Sequence, residues 1–118
     1  MTKIKNKFDL EERTTKFGMA VIIFCQKIDK NFINNPLISQ VVRSSGSIGA
    51  NYREANDSLG KKDFIHKLRI SRREAKETLH WLELLEVAVQ AQKTEIDLLK
   101  QESRELIYIF TSVINKCE

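Results

Sequence analysis

Four successive stretches of the chain repeat apolar or small residues at alternating steps of three and four, a pattern open to very few folds. The first series is Leu10, Thr14, Phe17, Val21, Phe24 and Ile28, and the second is Ile38, Val41, Ser45, Ile48, Tyr52, Ala55 and Leu59. The third runs Phe64, Leu68, Ser71, Ala75, Thr78, Leu82, Leu85 and Val89, and the fourth Ile96, Leu99, Ser103, Leu106, Phe110, Val113 and Cys117. A mean step of about 3.5 residues puts each series on one stripe of a helix, suited to knobs-into-holes packing. With only 4 Gly and 1 Pro in 118 residues, the chain lacks the turn formers of a many-stranded β fold, and 42% hydrophobic content is too high for disorder. The expected fold is all-α: an antiparallel up-down-up-down four-helix bundle forming one domain over residues 1–118.

Capping chemistry places the helices at about residues 9–30, 36–59, 61–91 and 95–116. Asp9 with Glu12 resembles a capping box at the first start. Asn35-Pro36 offers an N-cap and an N1 proline for the second helix. Gly60 is suited to end that helix in the left-handed conformation, and Thr94 with Asp97 repeats the capping pattern before the fourth. Connections this short make neighbouring helices antiparallel.

Charge is unevenly spread along the chain. Residues 1–60 carry 9 Lys/Arg against 6 Asp/Glu, residues 61–76 carry 7 against 2, and residues 77–118 carry 4 against 8. The net +5 of the middle segment falls at the start of the third helix. Antiparallel order gathers Lys3, Lys5, Lys7, Lys61, Lys62 and Lys67 at one pole. Lysines in a first helical turn oppose the helix dipole by a few tenths of a kcal/mol each, which hints at an external anion. Within the third helix Lys62, Arg69 and Lys76 recur every seven residues, flanked by Arg72 and Arg73. This ridge is the candidate nucleic-acid-binding site, since Lys and Arg neutralise phosphate charge and release counterions. A solvated, salt-bridged helix face is the competing explanation. No aromatic residue interleaves with the ridge along the helix, so base stacking is not indicated.

Two segments are apolar nearly all round: Met19 to Phe24 in the first helix and Leu106 to Phe110 in the fourth. One stripe suffices for a helix on the outside of a bundle. The surplus points to self-association.

The stretch Arg43 to Ala55 is unusual for a helix interior, because Gly46 and Gly49 each cost about 1 kcal/mol relative to alanine. No strand precedes them and no nucleotide fingerprint fits, which argues for small residues that let a neighbouring helix approach. Ser47, Asn51 and Glu54 share a face and, with Arg43, are the candidate interhelix polar network, expected to bond Arg69, Arg72 or Arg73 and fix helix register.

These residues carry a family resemblance. Arg43-Ser44-Ser45-x-Ser47-Ile48-x-x-Asn51-x-x-Glu54-Ala55, then Lys62-Asp63-Phe64-x-x-x-Leu68-x-Ile70-Ser71 and Glu74-Ala75-x-Glu77-Thr78, resemble the four-helix bundle proteins of the 23S rRNA intervening-sequence type. The resemblance spans nearly the whole chain and is most specific between Val41 and Leu85. It implies a cytoplasmic bacterial protein assembling as a ring-shaped homopentamer. It also implies similarity to the accessory protein of diversity-generating retroelements, a basic pentamer that contacts nucleic acid and a reverse transcriptase. The chain departs from many relatives at Tyr52-Arg53 and Asn56-Asp57, where Ile-Ala and Gly residues are common.

Nothing in the sequence supports catalysis, a cofactor or a metal. His66 and His80 are fourteen residues apart, about 21 Å along a helix, and cannot share an ion. Glu54, Glu74 and Glu77 have arginines nearby and are expected to form ion pairs. Cys25 and Cys117 show no metal spacing and are expected to be reduced thiols. The longest apolar run, Met19 to Cys25, is far short of a membrane span. The functional expectation is a non-enzymatic, cytoplasmic homo-oligomeric scaffold that binds RNA or DNA through the ridge and does not enter a membrane. The alternative is an adaptor whose basic ridge docks an acidic partner protein.

Overall fold

A computed structural model of the chain describes residues 2–118, with side chains from Leu10 onward. It contains four long helices: α1 (Thr2–Gln26), α2 (Asn34–Asn56), α3 (Lys61–Ala88) and α4 (Lys93–Cys117), with a short 3₁₀ turn at Gln90–Gln92 before α4. They form an elongated bundle of 44 × 27 × 19 Å. Among the described residues α3 is the central helix, packing extensively on both α2 and α4. α1 rests mainly on α2 and touches α4 least.

The heptad positions form the core. Val21, Val41, Ile48, Leu68, Leu82, Leu85, Ile96, Leu106 and Phe110 are sealed from solvent, and Tyr52 meets Phe110 with ring centroids 6.0 Å apart. The polar seam positions are buried as well, and each hydroxyl has an acceptor. Thr14 Oγ1 donates to Leu10 O at 2.7 Å, Ser71 Oγ to Ile48 O at 3.0 Å, Thr78 Oγ1 to Glu74 O at 2.8 Å and Ser103 Oγ to Leu99 O at 3.0 Å. Small hydroxylated residues thus sit in a tight interface without an unsatisfied donor.

The helix ends depart from sequence expectation at every junction. α1 starts at Thr2 rather than near residue 9, and the side chain of Asp9 lies outside the described residues. α1 also stops at Gln26, where Lys27 N and Ile28 N donate to the carbonyls three residues back in a tightened last turn. Ile28 stays buried beyond that end. α2 begins at Asn34, with Pro36 two residues in, where a missing N–H costs no helical bond. The capping acceptor is Asn31 Oδ1, which receives Ile33 N at 3.0 Å and Asn34 N at 2.7 Å. The expected N-cap, Asn35, has no such role.

Gly60 does not close α2. It is extended (φ −163°, ψ 173°) and is the N-cap of α3, its carbonyl receiving Phe64 N at 3.0 Å. α2 stops at Asn56, four residues earlier than Gly60, because Ser58 caps it with its own backbone and hydroxyl on Ala55 O. Leu59, expected on the α2 seam, is therefore fully exposed. α3 ends at Ala88 instead of near 91. α4 starts at Lys93 with no side-chain cap, so Thr94 and Asp97 do not play their expected part.

Gly49 supplies the close approach, and its neighbour is α1. A β-carbon there would stand 2.9 Å from Thr14 Oγ1 and 3.3 Å from Thr14 Cβ. At Gly46 a β-carbon would meet nothing within 4 Å.

Candidate nucleic-acid interface

The periodicity that buries one side of α3 turns the opposite side outward. Lys62, Arg69, Arg73 and Lys76 are exposed, with His66 and His80 on the same outer face. Lys62, Arg69 and Lys76 recur about 10.5 Å apart along the axis. Arg73 lies one turn beyond Arg69. Arg72 is different: it is half-buried at the α3–α4 seam, where Nη1 donates to Thr111 Oγ1 at 3.3 Å. Arg69 is half-exposed and pairs with the Glu118 side chain. Lys62, Arg73 and Lys76 have no side-chain partner among the described residues. The outer face of α3 therefore carries cations that the fold itself leaves uncompensated.

At the pole, Lys61 and Lys62 are exposed in the first turn of α3. Lys67 donates to Glu54 at 2.8 Å, which raises the lysine's proton affinity. Lys3, Lys5 and Lys7, expected at the same pole, have side chains outside the described residues.

Of the four residues expected in an interhelix polar network, Arg43 and Glu54 reach α3, whereas Ser47 and Asn51 do not. Arg43 Nη1 reaches Glu74 at 3.2 Å and Nη2 reaches Glu77 at 2.6 Å, so the guanidinium is held firmly charged, chiefly by the Glu77 bond. Glu54 bonds Lys67, and Asn51 Nδ2 donates within α2 to Ser47 O at 2.9 Å. None of Ser47, Asn51 and Glu54 meets Arg69, Arg72 or Arg73. The reason is phase: residues 67, 74 and 78 of α3 face α2, whereas 69, 72 and 73 are turned toward α4 and solvent. One contact was not anticipated, and one of the expected ion pairs has a buried acid. Ser44 and Thr78 share a buried hydroxyl contact of 2.8 Å, and the Glu74 carboxylate is almost fully buried beneath Arg43. The signal was present, since Ser44 and Thr78 have the small hydroxylated character of the seam, but only the helix phases pair them.

Elsewhere some acids are held by two cations or cations by two acids. Arg13 spans from α1 to Glu102 (2.6 Å) and Glu105 (2.8 Å) on α4, which keeps it strongly cationic, the Glu102 bond contributing most. Glu86, between Lys100 (2.7 Å) and Lys93 (2.9 Å), has its carboxyl pulled down to about 2, with Lys100 the larger cause. Among the described residues no group of three or more His, Cys, Asp or Glu could hold a metal ion. None of the helices among the described residues is long and apolar enough to cross a membrane. His80 stacks edge-on against Trp81, centroids 4.9 Å apart.

The two surplus apolar segments behave differently. On α1, Met19 and Ile23 are each 56% exposed and Ile22 and Ala20 are exposed beside them. Leu98 of α4 faces solvent across a shallow groove floored by Phe17, Ala20 and Leu99. On α4, Leu106 and Phe110 are core and Ile107 and Ile109 are half-buried, which leaves Tyr108 alone largely exposed.

Comparison with known proteins places this geometry in context. Residues 6–112 match the family model described as 23S rRNA-intervening sequence protein. The chain is also similar to a crystal structure of a protein with unknown function from the S23 ribosomal protein family of Bacteroides thetaiotaomicron. That similarity has a TM-score of 0.79 and 31% identity, covering 88% of this chain and 96% of that one. Among curated proteins, none matches the sequence.

Proposed function

The chain belongs to the 23S rRNA-intervening sequence protein family, and we propose that this member is a non-enzymatic homo-oligomeric scaffold that holds RNA or DNA by its backbone. The observation that carries the reading is the outer stripe of α3. In a molecule whose other charges are largely paired across helices, Lys62, Arg73 and Lys76 stand exposed without acidic partners among the described residues, inside a segment of net +5. Cations carried on one helix face neutralise phosphates and release their counterions. Single-subunit binding of this kind is weak, and copying the ridge around an assembly multiplies it.

Self-association is supported by the α1 face. Met19, Ala20, Ile22, Ile23 and Leu98 form an apolar band wider than a lone bundle requires. A closed ring of five is the assembly that the family resemblance implies, and a bacterial cytoplasm is the matching compartment. Docking of an acidic partner protein on the same ridge is the competing use of its charge.

Size-exclusion chromatography with light scattering, run with and without added RNA, tests the reading. The expected result is a defined multimer that carries RNA with it, and Ile23→Glu lowers both the mass and the RNA retained. A stable lone subunit at micromolar concentration, or a multimer that leaves RNA behind at low salt, rejects it.

A further inference from the structure

Along α3 no aromatic residue interrupts the basic ridge, but the packing of α4 brings one to it. Tyr108 is 74% exposed although it lies in the middle of an apolar run. Its position is fixed by two contacts across the α3–α4 seam, Arg72 to Thr111 at 3.3 Å and Lys100 to Glu86 at 2.7 Å. In antiparallel helices these bracket Tyr108 and set it level with Lys76. Thr111 points at α3, and Tyr108, three residues earlier, is turned about 60° from it on the side away from the buried Leu106 and Phe110. Arg104, one turn before, shares that side. On α3, Lys76 follows Arg72 by one turn and is rotated outward by about 40°, so the lysine and the phenol ring lie on the same molecular face.

We propose that Tyr108 and Arg104, with Arg69, Arg73 and Lys76 across the seam, form a platform for single-stranded nucleic acid, in which a base stacks on the phenol ring while the cations hold the flanking phosphates. This rests on the reading that the α3 ridge binds nucleic acid, and specifies the class of strand. An unpaired strand can turn a base face outward onto an aromatic ring, whereas a duplex keeps its bases stacked on one another. Tyr108 shares its groove with Gln101, Arg104, Glu105 and the half-buried Ile109, so a cation stands beside the ring, unlike the apolar band on α1. Two acids on this side are engaged by other residues. Glu105 accepts from Gln101 at 3.2 Å and from Arg13 at 2.8 Å, which lowers its proton affinity, the Gln101 bond contributing most, and Glu118 meets Arg69. Stacking tolerates any base, so the platform reads strand state and not sequence.

Fluorescence anisotropy with labelled 20-mer single strands of RNA and DNA, and with blunt duplexes of equal length, tests the proposal on the full chain. Wild type is expected to prefer both single strands over either duplex. Tyr108→Ala is expected to weaken single-strand binding at least about fivefold, the change that corresponds to about 1 kcal/mol of lost stacking, and to leave duplex binding within about twofold. Tyr108→Phe, which keeps the ring, is expected to bind as wild type does. An equal loss on strands and duplexes, no loss on strands, or a fall in oligomer mass in the alanine variant overturns the platform. If wild type binds neither strand nor duplex, the ridge reading itself falls. If Arg69→Gln with Arg73→Gln and Lys76→Gln loses both while Tyr108→Ala loses neither, only the platform is rejected.

Discussion

Two glycines three residues apart in α2 should respond to alanine with opposite signs. At either site alanine gains about 0.8–1.0 kcal/mol of helix propensity. Around Gly46 nothing lies within 4 Å of the new methyl group, so the whole gain should appear as stability. At Gly49 the methyl carbon would lie 2.9 Å from Thr14 Oγ1 and 3.3 Å from Thr14 Cβ. Thr14 has little room to yield. It is buried and β-branched, and its hydroxyl donates to Leu10 O at 2.7 Å and lies 3.2 Å from Glu11 O. Relieving the clash means rotating Thr14 off its acceptors or shifting α1, an overpacking cost of about 1–3 kcal/mol. Propensity cancels between the two variants, so their difference isolates that cost: Gly46→Ala should exceed Gly49→Ala by about 1–3 kcal/mol. Urea unfolding at matched protein concentration measures it, because oligomerisation makes stability concentration-dependent. Adding Thr14→Ala to Gly49→Ala should recover part of the loss relative to Thr14→Ala alone. Equal midpoints for the two glycine variants would refute the close α1–α2 approach.

Further outcomes follow from single environments. Burial pushes the Cys25 thiol up to about 11, whereas Cys117 is partly exposed. Titration with a thiol reagent at neutral pH should therefore show one fast site, lost in Cys117→Ser, and a second that reacts only in denaturant. Glu86 has its folded pKa lowered from 4.5 to about 2, so its contribution is present above the unfolded value and lost as pH falls between them. Acid unfolding of Glu86→Gln should show a shallower loss of stability over that window than wild type; identical slopes would remove Lys93 and Lys100 from the explanation. Asn31→Ala should cost about 1 kcal/mol by uncapping α2, whereas Asn35→Ala should be nearly silent in the same thermal melts.

The core was legible because burial and heptad phase are the same information. Every seam position except Leu59 is buried or partly buried. The junctions were less legible because competing local caps exist. Asn31 and Asn35 are equally plausible in sequence, and only the fold of residues 27–33 decides between them. Gly60 illustrates the same ambiguity, since a glycine after one helix and before the next can serve either. The polar partners failed for a different reason. Knowing that Arg69, Arg72 and Arg73 lie on α3 does not reveal which neighbour each faces, and a rotation of about 100° per residue moves a side chain from α2 to solvent. Tyr108 could not be linked to the ridge without the α3–α4 register, which sequence periodicity does not supply.

The central claim is that the α3 ridge engages phosphates, and the salt dependence of RNA affinity tests it most directly. Each phosphate neutralised on a single strand contributes about 0.7 to the slope of log affinity against log salt. Replacing Lys62, Arg73 and Lys76 with glutamine should flatten that slope by about 2 for each subunit engaged, with the oligomer mass unchanged. A wild-type slope near zero, or one that survives the triple replacement, would contradict it.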